Sequence, residues 1–107
     1  MQKGNIVIVP FPFTDLSTTK VRPALVIVDQ FGQDVLLCPI SSQHTLKSHE
    51  RVLQKMDYIG PPLPISSGVK FRHLFSLHAA LILKKHSAIT SQTMKEITNQ
   101  IVAFLRK

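Results

Sequence analysis

One cysteine stands in 107 residues, so no intramolecular disulfide and no thiolate metal cage can form. It lies in the apolar run Val35-Leu36-Leu37-Cys38-Pro39, which marks it as a buried thiol rather than a nucleophile. Acid is scarce as well. Six Asp and Glu face thirteen Lys and Arg, a formal charge of +7 that favours an anionic partner, either nucleic acid or an acidic peptide. No apolar run approaches the roughly 20 residues a membrane span needs. Ile6-Val7-Ile8-Val9-Pro10 is also too short and too Pro-interrupted for a secretory signal, which predicts a cytoplasmic protein. The Gly-rich phosphate loop, His-Glu-x-x-His and Gly-x-Ser-x-Gly are all missing, which argues against nucleoside triphosphate chemistry and the common hydrolase elbows. His44 and His49, and again His73 and His78, are five apart, a spacing that puts no two imidazoles on one helix face. Neither a metal nor another cofactor is expected.

What remains fits one domain spanning residues 1–107, with 44% hydrophobic residues and no repeat or low-complexity tract. Residues 5–11 are rich in β-branched side chains and read as a strand that Pro10 and Pro12 push towards an edge or bulge. The polar stretch 13–21 is a loop long enough to cover or line a site. Residues 23–28 and 34–40 read as two buried central strands around a turn at 29–33. A second surface loop follows at 41–50, a short strand at 51–56, and a Pro, Gly and Ser-rich connection at 57–68. Strands at 69–77 and 80–84 complete the β part. Met94, Ile97, Ile101, Phe104 and Leu105 then recur at helical spacing, with Thr90 or Ser91 as cap. Many short strands followed by one helix predict a mainly β fold, a compact barrel or curled sheet with a helical cover.

Pro23 biases Arg22 to an extended conformation at a strand start, where a fixed guanidinium could grip a phosphate or pair with Asp15. Ser41 and Ser42 fall just past the neighbouring strand, either as further phosphate ligands or as ordinary turn serines. Lys70 and Arg72, two apart in the 69–77 strand, would share one face as a basic track or a solvated surface. Phe11, Phe13 and Phe31 fit core or dimer packing better than base stacking.

The run Lys3-Gly4-Asn5-Ile6-Val7-Ile8-Val9-Pro10-Phe11-Pro12-Phe13-Thr14-Asp15-Leu16, followed by Arg22-Pro23-Ala24-Leu25-Val26-Ile27, resembles the PemK/MazF family of toxin-antitoxin ribonucleases. The likeness continues through Leu37-Cys38-Pro39-Ile40-Ser41-Ser42-Gln43 and into the helix after Thr90. It implies an SH3-like barrel that forms a homodimer, cleaves single-stranded RNA without a metal through attack of the 2′-hydroxyl, and is silenced by an antitoxin. The family's catalytic Arg falls on Arg22 and its Ser or Thr on Ser41; Lys20, Ser42, Lys70 and Arg72 complete the expected RNA-contacting set. The chain departs from the pattern in two places. Gly4-Asn5 stands where members usually have Gly-Asp, and Lys70 and Arg72 replace an Arg and an Asp, so a candidate general-base carboxylate is missing. His44, just after Ser41, is the candidate proton carrier. The alternative is a non-catalytic barrel that binds RNA, antitoxin or gyrase without cutting RNA.

Overall fold

The computed structural model describes residues 1–11, 20–43 and 50–107. The sequence readings at Phe13, the polar loop, the Asp15–Arg22 pair, His44 and His49 lie outside the described residues.

Three long strands carry the fold: β1 (Asn5–Phe11), β2 (Lys20–Phe31) and β3 (Asp34–Ser41). Successive side chains point to opposite faces of a strand, and here both faces are apolar. Ile6, Leu25, Ile27, Cys38 and Ile40 pack on one side with Met94, Ile97 and Ile101 of the helix α1 (Ser91–Leu105). Val7, Val9, Ala24, Val26, Val35 and Leu37 form a second cluster on the other side. This explains why the middle of β2 reads as an unbroken apolar run.

The remaining strands are short: β4 (Arg51–Val52), β5 (Tyr58–Ile59), β6 (Gly68–Val69), β7 (Phe75–His78) and β8 (Lys84–Ile89). They join one curled sheet in the order β4-β6-β3-β2-β1-β8-β5, with β7 also on β3. The molecule is therefore a mainly β, half-barrel sheet with one C-terminal helix, the expected class. Thr90 caps α1, its hydroxyl accepting from the Thr93 N–H. The β2–β3 turn is tighter than expected. Phe31 pairs with Asp34, and Gly32 takes the positive φ of +63° that the turn requires.

Two strand readings are corrected. Residues 69–77 are not one strand, because β6 ends at Val69 and β7 starts at Phe75. A ladder continued from Ile40↔Val69 would set Leu37 opposite Arg72, but Leu37 faces Phe75. The chain leaves the ladder to bury Phe71 in the helix-side core, and the His73 N–H closes a turn on the Lys70 carbonyl at 3.0 Å. Likewise 80–84 is not a strand. His78 accepts the Ala80 N–H, so Ala79–Leu81 forms a 3-10 turn and pairing resumes at Lys84. Residues 51–56 keep only β4 as strand before a second 3-10 turn at Lys55–Asp57.

Candidate active site

β2 and β3 are antiparallel neighbours, and their register at Ala24↔Pro39, continued two residues, sets Arg22 across from Ser41. Both line one cavity of about 320 Å³, a size at the lower end for small-ligand sites. Ser42, Gln43 and Ser67 add polar groups to it; Leu63, Pro64 and Ile65 form an apolar wall opposite.

Arg22 is exposed, and among the described residues no carboxylate pairs with it. Its guanidinium instead lies 6.0 Å from the centroid of the Phe11 ring. Phe11 is held in turn by edge-on packing against Phe75, with centroids 5.2 Å apart. A cation–π contact of this kind orients the side chain without neutralising its charge. Ser41 Oγ accepts the Gln43 N–H at 3.0 Å, which fixes the hydroxyl and leaves its proton free to donate. One full positive charge and a hydroxyl donor thus converge on one opening.

The wall is positioned from a distance. Pro61, Pro62 and Pro64 stiffen the connection between β5 and β6. Ser67 is buried; its hydroxyl donates to the Ile65 carbonyl at 2.7 Å, and its carbonyl accepts the Leu53 N–H at 2.9 Å. The other end of the connection starts from Asp57. This buried carboxylate takes Arg51 Nη1 and Nη2 at 3.1 and 3.2 Å, the Thr93 hydroxyl at 2.8 Å and the Gln54 N–H at 2.6 Å. Arg51 also bonds Glu96 of α1, at 3.0 Å through Nη2. Burial alone would raise the Asp57 pKa, but the hydrogen bonds from Gln54, Thr93 and Arg51, with the charge of Arg51, leave it below the ordinary value.

The expected site residues divide into three groups. Arg22, Ser41 and Ser42 meet at the cavity. Lys20 lies outside its lining but two residues before Arg22 on β2, exposed and on the same strand face. Lys70 and Arg72 do not share a strand face, because the strand ends before them. Lys70 is tied to the buried Glu50 at 3.0 Å, and Arg72 sits over the Phe104 ring at 5.2 Å, both away from the cavity lining. Asn5 is buried, and its Oδ1 accepts the Gln2 N–H at 3.0 Å, a bond an aspartate would make equally. Sequence reasoning missed Gln43, Leu63, Pro64 and Ile65 as lining. Only the proline cluster of the connection hinted that it was rigid enough to be a wall.

No carboxylate or imidazole appears among the described lining residues. Cys38 is not a substitute, since burial pushes its thiol up to about 12. Among the described residues no three His, Cys, Asp or Glu side chains gather as a metal site, and no helix is long and apolar enough to cross a membrane.

A curled, mainly β half-barrel that brings an arginine and a serine of adjacent strands to one cavity is the class of domain, and known proteins narrow it further. The model of the PemK-like, MazF-like toxin of type II toxin-antitoxin systems matches residues 2–105, and the chain belongs to that family. Among solved structures, a chain of the MazE–MazF complex from Deinococcus radiodurans is 20% identical, with a TM-score of 0.79 over 98% of this chain and 95% of that one. An endoribonuclease from a mycobacterial species, in complex with its cognate antitoxin, is 14% identical, with a TM-score of 0.75 over 98% and 94%. The Mycobacterium tuberculosis toxin MazF-mt6 is 14% identical, with a TM-score of 0.71 over 91% of each chain. At these identities the likeness is one of fold. No curated protein matches the sequence.

Proposed function

We propose that this protein is the toxin of a type II toxin-antitoxin pair and an endoribonuclease that cuts single-stranded messenger RNA without a metal ion. The observation that carries the reading is the meeting of Arg22, free of any described carboxylate, with Ser41 in one cavity. In the reaction the substrate's 2′-oxygen bonds to the adjacent phosphorus and the bond to the 5′-oxygen breaks, leaving a 2′,3′-cyclic phosphate and a 5′-hydroxyl. Negative charge builds on the two nonbridging oxygens. The planar fork of Arg22 holds both at once, and the Ser41 hydroxyl donates to one of them. The apolar wall of Leu63, Pro64 and Ile65 takes a base edge-on or face-on and keeps water from the phosphate.

The 2′-hydroxyl must lose a proton and the leaving 5′-oxygen must gain one. His44, which directly follows Gln43 in sequence, is the proposed carrier, because imidazole titrates near neutral pH. Lys20 and Ser42 extend the contact with the RNA backbone, and Arg72 adds to the positive field, while the charge of Lys70 is offset by Glu50. The mycobacterial and Deinococcus structures hold antitoxins, which supports an antitoxin partner here. Exposed Phe31 at the β2–β3 turn and Leu81 on the 3-10 turn that bonds to Gln33 support a homodimer. The proposed compartment is the cytoplasm.

Purified protein incubated with a long RNA in EDTA should give discrete fragments with 5′-hydroxyl ends and leave DNA whole. Arg22→Ala should slow the cuts by about 100-fold or more. Full activity in that variant, or a strict need for divalent metal, would sink the mechanism. That no described lining residue is a carboxylate favours a second reading, a barrel that binds RNA, antitoxin or gyrase and cuts nothing. It wins if expression arrests growth while total RNA stays intact.

A further inference from the structure

Arg22 reaches the cavity on a long side chain with many rotamers, and among the described residues no carboxylate holds it in one of them. The group that meets its guanidinium is the Phe11 ring, whose centroid is 6.0 Å away. Phe11 ends β1 and faces Lys20 across the ladder, while Val9 faces Arg22. Phe11 and Arg22 are therefore diagonal neighbours on adjacent strands, within reach of each other's long side chains. The ring that fixes Phe11 comes from elsewhere. Phe75 opens β7, which joins the sheet on the other side of β3. β3 and β2 lie between β7 and β1, so three strand spacings, roughly 14 Å, would separate them in a flat sheet. The two rings are nevertheless 5.2 Å apart and inclined at 74°. Only the curl of the half-barrel brings them together. Both are half-buried and pack on the cluster that holds Val7, Val9, Val35 and Leu37. An edge-on contact of this kind fixes the tilt of a ring as well as its place.

We propose that Phe75 and Phe11 are positioning residues for RNA cleavage: Phe75 sets the tilt of the Phe11 ring, and the face of that ring sets the direction in which Arg22 presents its fork to the cavity. The inference rests on the reading of the Arg22 cavity as the cleavage site. Neither ring is among the described lining residues, so the effect of the pair passes through Arg22. The chemistry needs two aromatic rings. An aliphatic side chain of similar volume fills the same core space, but it has neither the negative face that attracts a cation nor the positive edge that meets a second ring. The fork must meet two nonbridging oxygens as charge builds on them, so a misdirected guanidinium costs most in the transition state. Loss of the pair is therefore felt in kcat. Base stacking on Phe11 is the contrasting case: the ring would then act on the substrate directly, and its loss would weaken binding whether or not Arg22 is present.

The test pairs steady-state cleavage of a single-stranded RNA oligonucleotide with NMR of the Arg22 Nε–Hε group, both on the full chain at a temperature where every variant is folded. Phe75→Leu should lower kcat by about fivefold and leave KM within about twofold. Phe75→Tyr keeps the ring and should stay within about twofold of wild type. In an Arg22→Ala background Phe75→Leu should cost nothing further, because the residue it acts through is gone. Val35→Ala truncates a buried side chain of the same cluster and controls for lost packing: it should melt earlier with kcat per folded molecule unchanged. The Arg22 Nε–Hε resonance, shielded by the ring in wild type, should move towards its free-arginine position in Phe75→Leu and stay in place in Val35→Ala. An unmoved resonance in Phe75→Leu, an equal loss of kcat in Val35→Ala, a change confined to KM, or a full fivefold loss in the Arg22→Ala background would overturn the proposal. If wild-type protein cuts no RNA the cleavage reading fails, and the resonance alone then decides whether the pair orients Arg22.

Discussion

Arg22 and Arg51 are the same side chain in opposite circumstances. Arg51 is bound to Asp57 and Glu96 and ties β4, the Lys55–Asp57 turn and α1 together. Arg22 meets only the Phe11 ring among its described contacts and faces an open cavity. A guanidinium whose donors are spent on two carboxylates and a backbone carbonyl can hold a fold but cannot take up a phosphate. One left unspent does little for stability and is available to a substrate. The two should therefore separate cleanly by experiment.

The largest effect is expected at the cavity. Arg22→Ala should lower RNA cleavage by about 100- to 1,000-fold, the usual cost of removing one preorganised transition-state donor, with the melting temperature unchanged. Parallel rate assays and thermal melts check both halves. Arg22→Lys is the finer instrument: it keeps the charge but loses the fork, so most of the activity should stay lost. Asp57→Ala inverts the pattern. It leaves Arg51 with Glu96 as its only described carboxylate and takes the acceptor from the Thr93 hydroxyl and the Gln54 N–H, and should cost on the order of 3 kcal/mol, a drop of roughly 10 °C or more in the melt. Activity per folded molecule should fall little. If Arg22→Ala melts early while Asp57→Ala kills catalysis in a fully folded protein, the assignment of the two arginines is reversed.

Smaller effects sharpen the same contrast. Ser41→Ala should slow cleavage by about tenfold, the worth of one hydrogen bond to a charged oxygen, without a stability loss above about 1 kcal/mol. The smallest is a matter of pH. Asp57 has a lowered folded pKa, so its stabilisation is complete above the ordinary unfolded carboxylate value of about 3.9 and is lost as pH falls through the folded value. Denaturant melts between about pH 5 and pH 2 should show wild type losing stability faster than Asp57→Asn, with no such difference at neutral pH.

Much of this could be read from the chain. β1, β3 and the core of β2 were legible because their apolar, β-branched runs are long, and α1 because its spacing and the Thr90 cap agree. The segment from Lys70 to Leu74 was not, since its composition suits a strand and only the need to bury Phe71 under α1 breaks the ladder. Arg22 and Ser41 were found through motif likeness. Gln43 and the Leu63-Pro64-Ile65 wall carry no motif and become part of a site only because β6 pairs beside Ser41.

By itself the sequence determined the family, the mainly β class and the terminal helix, and it picked out Arg22 and Ser41, two residues that line the cavity. Those follow from local pattern, which is written in consecutive residues. The tertiary structure alone decided which cations meet a carboxylate among the described residues and which do not. Arg51, Lys70, Arg72 and Arg22 look alike in the chain, but Asp57, Glu50, the Phe104 ring and an open cavity are what they respectively meet. Three of those four environments come from contacts between residues far apart in sequence, which no local pattern encodes.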